Sequence, residues 1–349
     1  MEGESPARLG SVSRPRRHDG EAIGMIKVLW AAACAAALQG VAPASAQPYP
    51  SKPVTIVVPF AAGGPADTLA RQLGERIKAS LGQPIVVENV AGAAGATGVG
   101  RVVRAAPDGY TIGIGHLGTH VFNGALYNLP YDLVKDLEPV ALLPSNYSVI
   151  VTKKDVPATN LKDLVAWLKE NPKQASAATA GIGSIAHVAS VYFENQTGVA
   201  LQIVPYRSGA AAFGDVLAGH VTMIFDQFTG SSVEMYRSGK VRPFAVTAKS
   251  RLASVPDLPT VDEAGLPGLY VSTWYGLWAP KGTPAAIVTR LNAAVVEALA
   301  EPELRKRLDA QSSVVPPREQ QSSESLGKFQ RAEIDKWWPT IKAANIKAE

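Results

Sequence analysis

The chain has 349 residues, 46% of them apolar, and a net charge of +4 at pH 7 from 34 Lys+Arg against 30 Asp+Glu. So small and scattered a charge excludes the clustered basic footprint of a nucleic-acid binder. A single cysteine excludes an internal disulfide framework, while the length suffices for two domains.

In chain order, Met25-Ile26-Lys27 is followed by the apolar run Val28–Leu38 and then by Ala44-Ser45-Ala46-Gln47. A basic start, a short apolar stretch and an Ala-x-Ala ending are the parts of a secretory signal. Cleavage is expected after Ala46, so residues 1–46 comprise an upstream extension and the signal, with Met1 and Met25 both open as the start. The apolar run is too short for a span of about 20 residues. Arg16-Arg17 lacks the apolar residues that follow a twin-arginine signal, and Cys34 lacks the leucine three residues earlier that marks a lipoprotein. Cleavage would remove the only cysteine and leave 303 residues (349 − 46) with a net charge of +3. No later apolar run approaches membrane length, so the exported chain should be soluble.

The β-branched run Val54–Val58 predicts a strand, and a helix is predicted over Leu69–Ser80. Between them, Pro59-Phe60-Ala61-Ala62-Gly63-Gly64-Pro65-Ala66-Asp67 forms a turn in which two glycines allow close approach of a ligand to the backbone. Asp67 or Thr68 is placed to cap the helix, leaving its first amides facing the turn as an anion site. A second strand, Pro84–Asn89, leads through the glycine-rich stretch Gly92–Gly100 to a helical segment Arg101–Ala106 and a strand Tyr110–Ile114. Val140–Leu143 and Val149–Thr152 read as strands flanking Pro144-Ser145-Asn146, a crossing into a second domain. Next come a helix Asn160–Glu170, a strand Ala175–Thr179, the turn Gly181-Ile182-Gly183-Ser184 and a helix Ile185–Gln196. A strand Leu201–Val204, a helix Ala211–Ala218, a strand Val221–Phe225 ending at Asp226, and a strand Val241–Thr247 follow. Tyr270–Pro280 returns the chain to the first domain, and Ile287–Ala300, Glu303–Ala310 and Leu326–Ala344 are closing helices. This alternation predicts an α/β fold with mostly parallel sheets. Two lobes joined by two crossings would offer helix starts to a shared cleft, the geometry of a hinged solute trap.

Enzyme motifs fare poorly. Gly113-x-Gly115-x-x-Gly118 matches a dinucleotide fingerprint as text, but lies outside the first strand–turn–helix unit, and Thr119–Asn123 does not clearly open a helix. His116 and His120 are four residues apart without a third ligand, so no metal is expected. There is no nucleophile elbow and no phosphate-binding loop of the Walker type. No cofactor is expected.

With these residues in view, the chain resembles the periplasmic solute-binding proteins of tripartite tricarboxylate transporters, the TctC or Bug family, from Tyr49 to Lys347. The resemblance rests on Pro59–Arg71, Asp108-Gly109-Tyr110-Thr111, Asn123–Tyr127, Gly181–His187, Val204-Pro205-Tyr206-Arg207 through Asp215, the segment ending at Asp226, Pro256–Thr260 and Trp274-Tyr275-Gly276. It implies a two-lobed type II periplasmic-binding fold, with residues 47–145 and 273–349 in one domain and 146–272 in the other. The implied ligand is a small organic acid: a dicarboxylate, tricarboxylate, aromatic acid or amino acid. Permease subunits are the implied membrane partner, the periplasm the implied compartment, and a monomer the expected state.

Carried over, the resemblance puts Phe60, Ala61, Gly63, Gly64 and Asp67 on one wall with Ala93 and Thr97 nearby. Gly183, Ser184, His187, Tyr206, Arg207 and Asp226 form the other. Arg207 can pair with a carboxylate, Ser184 can cap a helix or touch ligand, and Asp226 can accept from a ligand hydroxyl or ammonium or order the Tyr206 loop. Trp274, Tyr275 and Trp278 are expected to wedge the hinge or core. Two other readings stay open: a sensory protein presenting its ligand to a receptor kinase, and an exported oxidoreductase or hydrolase.

Overall fold

The computed structural model describes residues 49–347. The expected signal segment, with Arg16-Arg17 and Cys34, lies outside the described residues.

The apolar run predicted as the first strand is β1 (Val54–Val58), which pairs in parallel with β2 (Ile85–Asn89) and β3 (Thr111–His116). Helices α1 (Pro65–Leu81) and α2 (Ala96–Val103) make the two crossovers. Leu69, Leu73, Ile77 and Leu81 recur at helical spacing on α1 and are buried, which explains its docking on the sheet. Pro65 opens this helix, where a missing N–H costs nothing. Asp67 is therefore not the cap: Gly64 holds that position, and Asp67 lies one turn further in.

β4 (Leu137–Lys153) runs unbroken through Pro144-Ser145-Asn146, which corrects the reading of two strands around a crossing. Ser145 and Asn146 keep partners in β9 (Ser272–Pro280), and a register shift between Leu142 and Ser145 absorbs the missing donor of Pro144. Up to Tyr147, β4 pairs with β9; from Ser148 it pairs with β7 (Met223–Gln227) and, from Val149, with β8 (Val241–Val246). The second half carries α4 (Leu161–Glu170), β5 (Ser176–Thr179), α5 (Ile185–Thr197), β6 (Gln202–Pro205) and α6 (Gly209–Leu217). A further helix, α7 (Gly230–Arg237), was not expected; its short polar sequence carries no apolar period, and a capping box from Thr229 to Ser232 starts it. α8 (Ala285–Ala300), α9 (Pro302–Ala310) and α10 (Ser323–Ala343) close the chain.

The strand order is β2-β1-β3-β9-β4-β7-β5-β6, with β8 also on β4. Among the strands of the described residues, parallel ladders lie at the two ends of this sheet, at β1/β2, β1/β3, β5/β6 and β5/β7. Around β4 and β9 every pairing is antiparallel. The fold is α/β as expected, but the sheet is mixed rather than mostly parallel, because β9 and β4 run in opposite directions beside each other at its centre.

Trp274, Trp278 and Trp337 are fully buried, so the aromatic segment of β9 is core. Each indole N–H is satisfied: Trp278 Nε1 donates to Gln330 Oε1 at 3.1 Å, and Trp274 and Trp337 both donate to Glu333 Oε2. The His120 ring stacks 3.7 Å above Trp278. The glycines within β3 serve packing, since a Cβ on Gly115 would meet the His120 ring at 2.0 Å. A helical turn, Gly118–Phe122, does follow β3 and continues into α3 (Asn123–Leu126), correcting the expectation that no helix opens there.

Candidate functional site

A cavity of about 930 Å³ opens where several turns meet at one edge of the sheet. From the first half of the chain it receives Phe60, Ala94, His116, Gly118, Asn123 and Leu126. From the second half it receives Ile182–Ala186, Gly209, Ala210, Phe213 and Asp226, with Ser148 of β4 and Thr273 of β9 between them.

Two helices begin at this cavity. Ser184 caps α5, its hydroxyl accepting from His187 N at 3.3 Å. Ser208 caps α6 in the same way, accepting from Ala211 N at 3.2 Å. In each, the serine satisfies only one of the first amides. Ile185 and Ala186 in α5, and Gly209 and Ala210 in α6, occupy first-turn positions that have no acceptor within the helix, and all four line the cavity. Two helix starts thus present positive dipole ends to one space.

His116 at the end of β3 lies against Phe60, ring centroids 4.7 Å apart. Its Nδ1 accepts from Gly118 N at 2.9 Å, which assigns the ring proton to Nε2. Burial lowers its pKa to about 4, so at neutral pH His116 is an uncharged donor. Thr273 is 2% exposed, and its Oγ1 finds no hydrogen-bond partner among the described residues. Asp226 Oδ2 accepts from Ser232 Oγ at 2.8 Å and Tyr236 Oη at 2.6 Å. Burial raises its pKa, and these two donors pull in the opposite direction. No lysine or arginine is among the described residues that line the cavity.

Of the residues singled out from sequence, Phe60, Gly183, Ser184 and Asp226 line this cavity together. Gly63 lines a neighbouring cavity of about 350 Å³, with Pro65 and Thr68. Ala61, Ala93 and Thr97 are exposed, and neither they nor Gly64 line either cavity. Asp67 is committed to the scaffold. Its Oδ2 accepts from Gly63 N at 2.8 Å and Arg71 Nε at 3.0 Å, and its Oδ1 from Asn89 Nδ2 at 2.9 Å. His187 Nδ1 accepts from Gly183 N at 2.9 Å and so braces the turn behind Ser184. Tyr206 donates to Asp215 Oδ2 at 2.6 Å, away from Asp226, whose partners are on α7. Arg207 is exposed and off the cavity wall.

Sequence reasoning passed over Gly209, Ala210, Ser148 and Thr273 as ligand-facing, and weighed His116 only as a metal ligand. The signal for α6 was present in Ser208-Gly209, a cap before a helix. Ser148 and Thr273 carry none, because only the long-range pairings of β4 with β7 and β9 bring them to the cavity.

Residues 69–346 match the family described as "Tripartite tricarboxylate transporter family receptor". BugT of Bordetella pertussis is 32% identical over 308 residues, covering 88% of this chain and 93% of BugT. A UPF0065 protein from the TAR-I ttuE-ttuC' intergenic region of Agrobacterium vitis is 36% identical over 296 residues, 85% of each chain. Among solved structures, MatC of Rhodopseudomonas palustris with bound malate superposes with a TM-score of 0.71 at 38% identity, covering 84% of this chain and all of MatC. A second R. palustris protein, with adipate, gives 0.73 at 31% identity, covering 86% of this chain and all of that one.

Proposed function

The chain belongs to the tripartite tricarboxylate transporter receptor family of periplasmic solute-binding proteins, and on that premise we propose that it captures a small organic carboxylate for delivery to a membrane permease. One observation carries the reading: the starts of α5 and α6 face a single cavity whose other polar side chains, Asp226 apart, are neutral among the described residues. A carboxylate there would be held by the amides of Ile185, Ala186, Gly209 and Ala210, by the Ser184 hydroxyl and by His116 Nε2–H. Several neutral donors spread the anion's charge without the desolvation cost of burying a cation. The unpartnered Thr273 hydroxyl is a further donor in search of an acceptor.

Residues 47–145 with 273–349 form one lobe in this proposal, and 146–272 the other. The change of β4's partners at Tyr147 and Ser148 supports that division. β4 and β9 are the two crossings about which the lobes close, and closure excludes water and strengthens each contact. The protein acts as an exported monomer that turns over nothing. Among the described residues no helix is long and apolar enough to cross a membrane.

Calorimetric titration of the protein without its first 46 residues, against a panel of organic acids, tests the reading. At least one acid should bind, Ser184→Ala should weaken it about tenfold, and the acid should be recovered chemically unchanged. Failure of every acid to bind would refute it. Uptake of that acid by cells lacking the gene should fall if a permease receives it.

A further inference from the structure

The cavity's wall combines three chemistries in a fixed order, and only one of them suits a carboxylate. The helix starts supply donors. Beyond them, α6 extends along the cavity from Gly209 through Phe213 to Leu217, about 12 Å at 1.5 Å per residue. Phe213 and Leu217 are one turn apart on the same face. With Ile224 of β7 and Met235 of α7 they form an apolar wall.

The third chemistry is Asp226, the one carboxylate among the described lining residues. Ile224 and Asp226 are two apart in β7 and so face the same side. In the parallel β5/β7 pair, Ala178 stands opposite Ile224. Continuing that register brings Ala180 beside Asp226, at the sheet edge from which Gly181–Ser184 lead into α5. Asp226 therefore lies on the edge where the helix starts open, between them and the apolar wall. Its two hydrogen bonds both fall on Oδ2, so Oδ1 is an acceptor without a donor among the described residues. Ser232 and Tyr236, as donors, hold the group as an acceptor.

Resting on the reading of the protein as a carboxylate receptor, we propose that the ligand is a monocarboxylic acid bearing a hydrogen donor, hydroxyl or ammonium, on the carbon beside its carboxylate and an apolar side chain. The carboxylate takes the amides at the starts of α5 and α6, the donor bonds Asp226 Oδ1, and the side chain lies along Phe213, Leu217, Ile224 and Met235. A second carboxylate in the donor's place would meet Asp226 with like charge and no bridging cation. Asp226 thus acts as a specificity-determining group: it rewards a donor and rejects a diacid.

Four acids on one skeleton test this by calorimetry: 3-phenylpropanoate, with no donor; 3-phenyllactate, with a hydroxyl; phenylalanine, with an ammonium; and benzylmalonate, with a second carboxylate in the same place. Malate and adipate are run beside them. The phenyllactate or phenylalanine complex should be at least about tenfold tighter than that of phenylpropanoate, as expected for a hydrogen bond to a charged group. Benzylmalonate should bind weakest. Which of the two donors is preferred separates hydroxy from amino acids. In Asp226→Asn the preference for a donor should fall to within about twofold, and benzylmalonate should gain. Benzylmalonate binding the native protein as tightly as phenyllactate would overturn the proposal. So would an unchanged ranking in Asp226→Asn. Binding of malate or adipate without any of the phenyl series would overturn it too, while leaving the carboxylate-receptor reading intact. Failure of all six would remove both.

Discussion

Asp67 offers the sharpest test of how the first glycine turn is held. Its carboxylate takes Arg71 Nε on one oxygen and Arg71 Nη2 on the other, at 3.0 and 2.9 Å. Gly63 N and Asn89 Nδ2 complete the set, and Asn89 also donates to Phe60 O at 3.1 Å. Asp67 therefore fixes one end of the segment Phe60–Gly63 directly and the other through Asn89. The Arg71 guanidinium, first, and then the Gly63 and Asn89 donors lower its pKa from 3.8 to about 2 against the effect of burial. At about 1.36 kcal/mol per tenfold step in protonation, that fall corresponds to about 2.4 kcal/mol at most. Asp67 is only 3% exposed, but the turn lies at the protein's edge and the Arg71 side chain is 52% exposed. Solvent screening accordingly trims the figure to about 1 kcal/mol.

Asp67→Asn should thus lower the melting temperature by about 2–4 °C at pH 7. The folded pKa lies below the unfolded one, so the contribution is complete above about pH 4 and is lost as pH falls through about 2. Urea titrations of native and Asp67→Asn protein across pH 2–7 should show two curves that converge at the acid end. A double-mutant cycle with Arg71→Gln should return a coupling of about 1 kcal/mol. A gap that persists unchanged at pH 2, or a cycle with no coupling, would refute the assignment.

Three other outcomes are expected. Burial lowers the His120 pKa to about 3; below about pH 6.5 the unfolded chain takes up this proton and the fold does not, so stability should decline from pH 6.5 towards 3. Replacing His120 by Gln should flatten that decline in urea titrations. Gln330→Leu would strip Trp278 Nε1 of its acceptor and the carbonyls of His120 and Leu133 of their donor. It should cost about 2–4 kcal/mol in chemical unfolding. Arg207→Ala should change acid affinity less than twofold by calorimetry, because the side chain is exposed and off the cavity wall.

Much of the fold was legible because its signals are local. The run Val54–Val58, the helical spacing through Leu69–Ser80, and Ser184 ahead of an apolar helix each act over a few residues; the strand and the second helix formed where they were read, and the first helix began four residues early, at Pro65. α7 escaped because eight mostly polar residues carry no period. Asp67 was legible as a helix-start residue, but not as the hub of Gly63, Arg71 and Asn89, since Asn89 stands 22 residues away.

The sequence alone determined the kinds of parts: alternating strands and helices, glycine turns between them, and serines poised to cap. Tertiary structure decided which parts share a space. Pairing of β4 with β9, more than a hundred residues away, brought Thr273 to the cavity, and its pairing with β7 brought Ser148 there. Packing likewise set the starts of α5 and α6 against one another's cavity while that of α1 opened on its neighbour. Local preference is set by dihedral sterics and nearby hydrogen bonds, whereas cross-chain placement follows from burying apolar faces together, and no short window of residues encodes that sum.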